Sequence, residues 1–469
     1  MSFERAERIG GMDAWQLYQE TRLQVGNGMT LVPVDRSKLS GSLYDHVVTA
    51  LANRIHLIPA YRKTLYDPWF NPDRPMLVTA PHTDVRDHVT VLPMPAPGGS
   101  AGAAKALAQV RATHLDRSKP LWHIYVLEDD AERGYLISVV HHLLVDGDSA
   151  MDVVGYLMRS GDLRALPARH TPDSATFPAR PAAILADAAR RKWRRLGRLP
   201  ALAALSARTM LAERSFRHLK VKAPRTAFNC TLSGTSTAAV VALPIDEVKQ
   251  IAETCSTTVN HVLLHCVGKA LHDVLRERGA LPDRPLVAAV PYAMRGADTS
   301  EYVTDNVGTT TVLKVNLHDD IADPLDRLAA IAEHARAVKQ LQERRGVNLF
   351  RQWNEYVPGP VVTALFRTIE RLGLAERISW PCNVIVSNGS GVVVDEPTFL
   401  DLPVPQFYPA GPLYHGMGPS VIALTWSNQL CLSITADAAH ADAETLARGV
   451  EDEFATLVSL TGTRAAASG

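Results

Sequence analysis

Two adjacent histidines, His141 and His142, close a mostly apolar run, and Asp146-Gly147 follows four residues later in "SVVHHLLVDGDSAMDVV". A neutral imidazole, with an unperturbed pKa of roughly 6.5, accepts a proton from an alcohol as that oxygen attacks a carbonyl. Successive strand residues point to opposite faces, so only one of the pair addresses a given reacting atom. Leu136, Ser138 and Val140, which share a face with His142, are slightly more polar than Ile137 and Val139 beside His141. That slight difference favours His142 as the one facing a solvent-accessible tunnel, with His141 read as a satisfied core histidine. Asp146 suits a structural role, accepting backbone N–H groups in a tight turn or pairing with an arginine, and Gly147 permits angles closed to other residues.

Competing chemistries fit less well. No third histidine or carboxylate stands at a spacing that completes a metal site with the pair. Ser149 in Gly-Asp-Ser is followed at 151 by Met, not Gly, so the Gly-x-Ser-x-Gly elbow of a hydrolase fails. Ser149 or Asp148 reads instead as the cap of the helix that follows.

The elements that position these residues form a mixed α/β pattern. "LWHIYVLED" and "GYLISVVHH" are two β-rich runs separated by charged turn residues, which is how a hairpin reads. "LYDHVVTALANRIHLIPAYR" carries helical spacing that ends near Pro59, and "TTVNHVLLHCVGKALHDVLRERG" is a longer amphipathic helix. "TAAVVALP", "RPLVAAVPYAM", "GTTTVLKVNLH", "CNVIVSNG", "PSVIALTWSN" and "LCLSITAD" read as strands of a second unit. At 469 residues the chain exceeds one ordinary core, so two domains are expected. Between about 160 and 225 the composition shifts to Ala, Arg and Pro, with Arg190, Arg191, Lys192, Arg194, Arg195 and Arg198 around Trp193. This segment is either a connecting helix with a solvated basic face or an interfacial helix drawn to anionic lipid headgroups.

Lys plus Arg and Asp plus Glu are 49 each, so the overall charge gives no reason to expect a nucleic-acid partner. The five cysteines are scattered with no Cys-x-x-Cys pair, and the N-terminus lacks the apolar stretch of a signal peptide. No window reaches about 18 uncharged apolar residues. The expectation is a cytoplasmic protein with no metal and no cofactor.

The residues around the histidines are more specific than the pair itself. "RIHLIPAYRKTLY", "DVRDHV", "LDRSKPLWHIYVLED" with Pro120-Leu121-Trp122, "VPYAMRG", "DNVGTTTVLKVNLHDDIADPLDRL", "NVIVSNGSG" and "YPAGPLYHG" occur in this order. Together they resemble the bacterial wax ester synthase/diacylglycerol acyltransferase family. That family shares His-His-x-x-x-Asp-Gly with chloramphenicol acetyltransferase, carnitine acyltransferases and peptide-synthetase condensation domains. The resemblance implies two chloramphenicol-acetyltransferase-like domains, residues 1–165 and 226–469, joined by a helical linker over 166–225 with the active-site tunnel between them. It implies acyl-CoA as co-substrate, a diacylglycerol or long-chain alcohol as acceptor, and association with a membrane or lipid-droplet surface. The second histidine of the family's motif, its general base, maps onto His142, with His141, Asp146 and Gly147 beside it. Trp122, Asn260 and Asn388 lie in matching segments and are the expected substrate contacts. The chain departs from the family at Asn260-His261, where Asn-Asp is usual, and at Ser387-Asn388-Gly389-Ser390-Gly391, where Ser-Asn-Val-Pro-Gly-Pro is usual. His261 would suit a different reading, a catalytically weak lipid-binding or droplet-coating protein on the same fold. Arg295, closing "VPYAMRG", is the expected structural partner of Asp146, against the alternative that the aspartate is satisfied within its own turn.

Overall fold

A computed structural model describes residues 5–80, 82–144, 147–159, 163, 176–212, 219, 221–293, 310–345, 349–392 and 396–468. Asp146 and Arg295 lie outside the described residues, and so does their expected pairing.

The hairpin forms as expected. Strand Trp122–Glu128 pairs antiparallel with Arg133–His141. Asp130 closes the turn by accepting from the backbone N–H of Glu132 and Arg133 and from the Arg133 guanidinium. Two further strands complete one side of the sheet and its far edge: Asn27–Asp35 lies antiparallel to Arg133–His141, and Val89–Val91 runs parallel to Trp122–Glu128. The fifth strand comes from the far end of the chain. Tyr408–Ala410 pairs antiparallel with Asn27–Asp35, placing Tyr408 opposite Leu31 and Ala410 opposite Met29.

A six-stranded sheet forms the second unit, in the order Thr310–Asn316, Val287–Ala293, Val384–Val392, Ser420–Trp426, Gln429–Asp437, Ser236–Pro244. Its two inner contacts, around Val384–Val392, are parallel and the others antiparallel. Alternation along the strands divides its side chains between two cores. Val241, Val386 and Ile434 pack with helix Val259–Glu277 and its neighbours, whereas Ala238, Leu424, Trp426 and Cys431 join the core of the five-stranded sheet.

Helix Gly99–Val110 is wedged at this junction. Its buried residues are mostly Ala and Gly, which keeps it thin. Arg111 at its end donates through Nε to Ser236 Oγ, and Ser236 Oγ donates to Ala108 O, so helix and second sheet are bonded across the junction.

A small sheet of Lys63–Tyr66, Met76–Thr79, Arg5–Arg8 and Thr176–Pro178 supports the long helix Pro181–Ala212. The helix continues through Pro200, although proline removes one backbone hydrogen bond. Its contact stripe is narrow, with Ile184, Ala188 and Leu202 buried. Part of the basic cluster is spent inside the fold. Arg190 and Arg191 pair with Asp187, which also takes Arg8 at 2.7 Å, and Arg195 grips Asp73 through two bonds of 2.9 and 3.0 Å. The opposite side leaves Leu185, Trp193 and Leu196 exposed, Trp193 at 73%.

Candidate active site

Strand Arg133–His141 delivers the histidines at its C-terminal end. The chain leaves the sheet at His142 and enters helix Gly147–Leu157. That helix begins ahead of Asp148 and Ser149, so neither stands at the capping position before its first residue. The backbone is pinned on both sides: His141 N–H donates to Leu121 O, and His142 N–H donates to Gly26 O at 2.9 Å.

His141 is 3% exposed and both its ring nitrogens are engaged. Leu143 N–H donates to Nδ1 at 2.9 Å, so Nδ1 is an acceptor and the ring proton sits on Nε2, 3.1 Å from Glu20 Oε1. An imidazole committed in this way has no lone pair to offer an alcohol. Glu20 in turn accepts from Gly26 N–H at 2.9 Å and from Arg117 Nη2 at 2.7 Å. Burial alone would raise the Glu20 carboxyl, but the bond from His141, backed by Gly26 and Arg117, outweighs it and draws the group down to about 2.

His142 differs from its neighbour by being half-buried. Its imidazole lies beside Gly28 of the adjoining strand, where an added Cβ would stand 3.5 Å from Cε1 and 3.6 Å from Nε2. Gly26 does the same for His141, with 3.4 Å to its Nε2. Gly28, in strand Asn27–Asp35, and Gly26, just ahead of it, thus lie where the two imidazoles pass. Glycine within a strand marks such close approaches, and "QVGNGM" carried that signal. Glu20 and Arg117 had no comparable mark in the sequence, being joined to His141 only by the fold.

The loop bearing Glu20 is clamped by the second half of the chain. Glu370 accepts from Thr21 Oγ1 and Leu23 N–H, His415 Nε2 lies 3.1 Å from the same carboxylate oxygen, and His415 N–H donates to Gln24 Oε1. Burial holds the His415 imidazole below its usual range, with Glu370 pulling the other way.

The other expected site residues divide. Trp122 is 1% exposed, stacked between Tyr61 at 4.4 Å and His88 at 4.2 Å, with Nε1–H bonded to Tyr61 O. It is a core residue under the histidine strand, and a surface open to a substrate is not what it provides. Asn388 lies on Val384–Val392, on the face shared by Val384 and Val386, and Asn260 opens helix Val259–Glu277, which packs on that face. Each has a buried side-chain oxygen with no hydrogen-bond partner among the described residues. His261 accepts or donates at Thr257 Oγ1, 2.8 Å away, and burial pushes its imidazole down to about 4.

Residues 9–263 match the wax ester synthase/diacylglycerol acyltransferase catalytic domain and residues 309–458 the C-terminal domain of the same enzymes. A Mycobacterium tuberculosis H37Rv protein provisionally named diacylglycerol O-acyltransferase is 28% identical over 436 residues, covering 91% of this chain and 85% of the relative. A second protein of that strain, with the same provisional name, is 28% identical over 459 residues, 92% of each chain. The fold is similar to the wax ester synthase/diacylglycerol acyltransferase of Marinobacter aquaeolei VT8, with a TM-score of 0.67 at 19% identity over 97% of this chain and 100% of that one. It is also similar to the first condensation domain of the calcium-dependent antibiotic synthetase, with a TM-score of 0.57 at 14% identity over 98% and 97%. With both family domains matched in order along most of its length, the chain belongs to the wax ester synthase/diacylglycerol acyltransferase family.

Proposed function

We propose that this acyl-CoA-dependent O-acyltransferase uses His142 as general base to move a long-chain acyl group onto a lipid hydroxyl, the acceptor being a diacylglycerol or a long-chain alcohol. The observation that supports the assignment is the engagement of both nitrogens of the buried His141, while His142 is the more exposed imidazole of the pair. Its imidazole takes the hydroxyl proton as the alcohol oxygen attacks the thioester carbonyl. The tetrahedral oxyanion collapses, the C–S bond breaks, and the imidazolium returns the proton to the CoA sulfur. Asp146 and Gly147 shape the turn that holds the ring, and Asn388 and Asn260 supply polar groups on the second sheet's side.

Direct attack without an acyl-enzyme agrees with the cysteines. Burial pushes the thiols of Cys230 and Cys382 up to about 12 and that of Cys431 to about 11, far from the depressed values of nucleophilic thiols. Among the described residues no helix is long and apolar enough to cross a membrane. The exposed line of Leu185, Trp193 and Leu196 beside basic residues supports contact with a lipid surface from one side.

The test is CoA release from palmitoyl-CoA, with and without dioleoylglycerol or hexadecanol. His142→Ala should lower the acceptor-dependent rate by at least about 100-fold while keeping the wild-type circular dichroism, the lower bound for a positioned base. His141→Ala should lower the Tm as well as the rate, since it removes one of the three donors to the buried Glu20. Wild-type turnover in His142→Ala would refute the assignment.

A further inference from the structure

Cys230 comes together with Asp437 and His440, more than 200 residues further along the sequence. Their ligand atoms, one sulfur, one carboxylate oxygen and one imidazole nitrogen, all lie within 4.8 Å of one another. Cys230 is 4% exposed and Asp437 6%, whereas His440 is partly open to solvent. We propose that these three side chains bind a zinc ion, with a water in the fourth position, and that the ion fastens the segment entering the second sheet to the turn leaving it.

The chemistry of the three donors selects the metal. A thiolate with an imidazole suits zinc and disfavours magnesium and calcium, which require oxygen ligands. Zinc bonds of roughly 2.0–2.3 Å in a tetrahedron bring ligand atoms to roughly 3.5 Å apart, so closure needs about 1 Å of movement. The open edge of the site is where that movement is easiest. His440 sits in the turn after strand Gln429–Asp437, where its N–H donates to Asp437 O.

The carboxylate is already oriented. Asp437 Oδ2 accepts from Ser233 N–H at 2.6 Å and Ser233 Oγ at 3.0 Å, and Oδ1 accepts from Ala439 N–H at 3.1 Å. Such outer partners fix a ligand's direction while leaving it lone pairs for a metal. Cys230 is held by its own backbone, its carbonyl accepting from Gly416 N–H. Phe228, Leu232, Leu413 and Tyr414 line a small pocket with these residues, a dry wall that strengthens the metal–ligand attraction.

Charges from neighbouring elements act in both directions. Glu376, bonded to Thr231, adds a carboxylate near Cys230 and His440. Arg111, near Asp437, adds an opposing positive charge, and its two terminal nitrogens have no partner among the described residues. A hard cation held by field alone is therefore opposed, and the thiolate–zinc bond has to supply the affinity. Asp437 and His440 form a local Asp-x-x-His in a turn, but Cys230 stands more than 200 residues upstream, which is why cysteine spacing gives no hint of the site.

The full-length protein, stripped with a chelator and dialysed, should take up one zinc per chain and rise in Tm. Cobalt in its place should give visible ligand-field bands and a near-ultraviolet thiolate charge-transfer band. His440→Gln should weaken zinc at least about 100-fold, beyond the 10–100-fold cost of losing an outer-sphere partner, with the metal-free Tm unchanged. Cys230→Ser should abolish the charge-transfer band. Failure of the wild type to bind zinc at one equivalent, or equal zinc affinity in wild type and His440→Gln, would overturn the proposal. Either result is independent of acyl transfer, which the His142 variant tests separately.

Discussion

Replacing Glu20 by Gln keeps the shape of the side chain that locks His141 and removes only its charge. In the wild type, Oε1 accepts from both Gly26 N–H and His141 Nε2–H, and Oε2 accepts from Arg117. A glutamine with its oxygen at the Oε1 place still serves the two buried donors, but its NH2 then faces the Arg117 guanidinium. Arg117 is half-exposed and turns away into solvent, so the fold survives. A carboxyl at about 2 in place of 4.5 corresponds to about 3 kcal/mol of stability at neutral pH, at roughly 1.4 kcal/mol per pH unit. The folded-state value is depressed, so this contribution is complete above the unfolded value and fades as pH falls from 4.5 towards 2. Urea denaturation of Glu20→Gln at pH 7 should therefore show a loss of about 2–3 kcal/mol. The gap to wild type should narrow by about 1 kcal/mol at pH 4 and about 2 kcal/mol at pH 3. The weaker, uncharged acceptor on the His141 ring also loosens the strand end that carries His142, so kcat should fall about 10-fold with KM for acyl-CoA unchanged. A gap of the same size at every pH from 3 to 7 would show that the carboxylate carries no linked charge. Wild-type kcat in the variant would separate Glu20 from catalysis altogether.

Gly28→Ala should be tolerated, because 3.5 Å to the His142 ring is ordinary contact, whereas Gly28→Val should displace the ring and lower kcat by about 10-fold or more with a smaller change in Tm. Trp122→Ala should cost about 3–5 kcal/mol in chemical denaturation, and at temperatures where the variant is folded its KM for acyl-CoA should match wild type. Trp193→Ser should change stability by less than about 0.5 kcal/mol yet weaken sedimentation with anionic vesicles roughly tenfold; unchanged sedimentation would make the exposed helix face a plain connector.

What could be read from the sequence was set by how local each determinant is. The hairpin ending in His141 was legible because β-rich runs flank a charged turn within twenty residues, and helix Val259–Glu277 because its apolar positions recur within one segment. The polarity difference between the strand faces is slight, and the two bonds that hold the His141 ring, from Leu143 and to Glu20, are not revealed by strand alternation. Trp122 looked like a substrate contact because it sits in a motif near the histidines, yet its neighbours Tyr61 and His88, each more than thirty residues away, seal it in the core. Glu20 lies 121 residues from His141 and Glu370 lies 349 from Thr21, and no periodicity spans such gaps. "YPAGPLYHG" was legible as a motif, but its prolines and glycines read as loop, and its strand character comes only from the partner it meets.

That partner sets a clock on synthesis. The edge of strand Asn27–Asp35 is covered by Tyr408–Ala410, which leaves the ribosome more than 370 residues later, or roughly 20–75 s at 5–20 residues per second. Through that interval the nascent sheet has a bare edge carrying Met29, Leu31 and Val32, the type of edge on which chains pair with the wrong neighbour. Truncated chains ending before residue 408 keep the bare edge, so they should aggregate more readily than the full chain. A chaperone that shields the first sheet until Tyr408–Ala410 emerges should therefore raise the yield of folded enzyme.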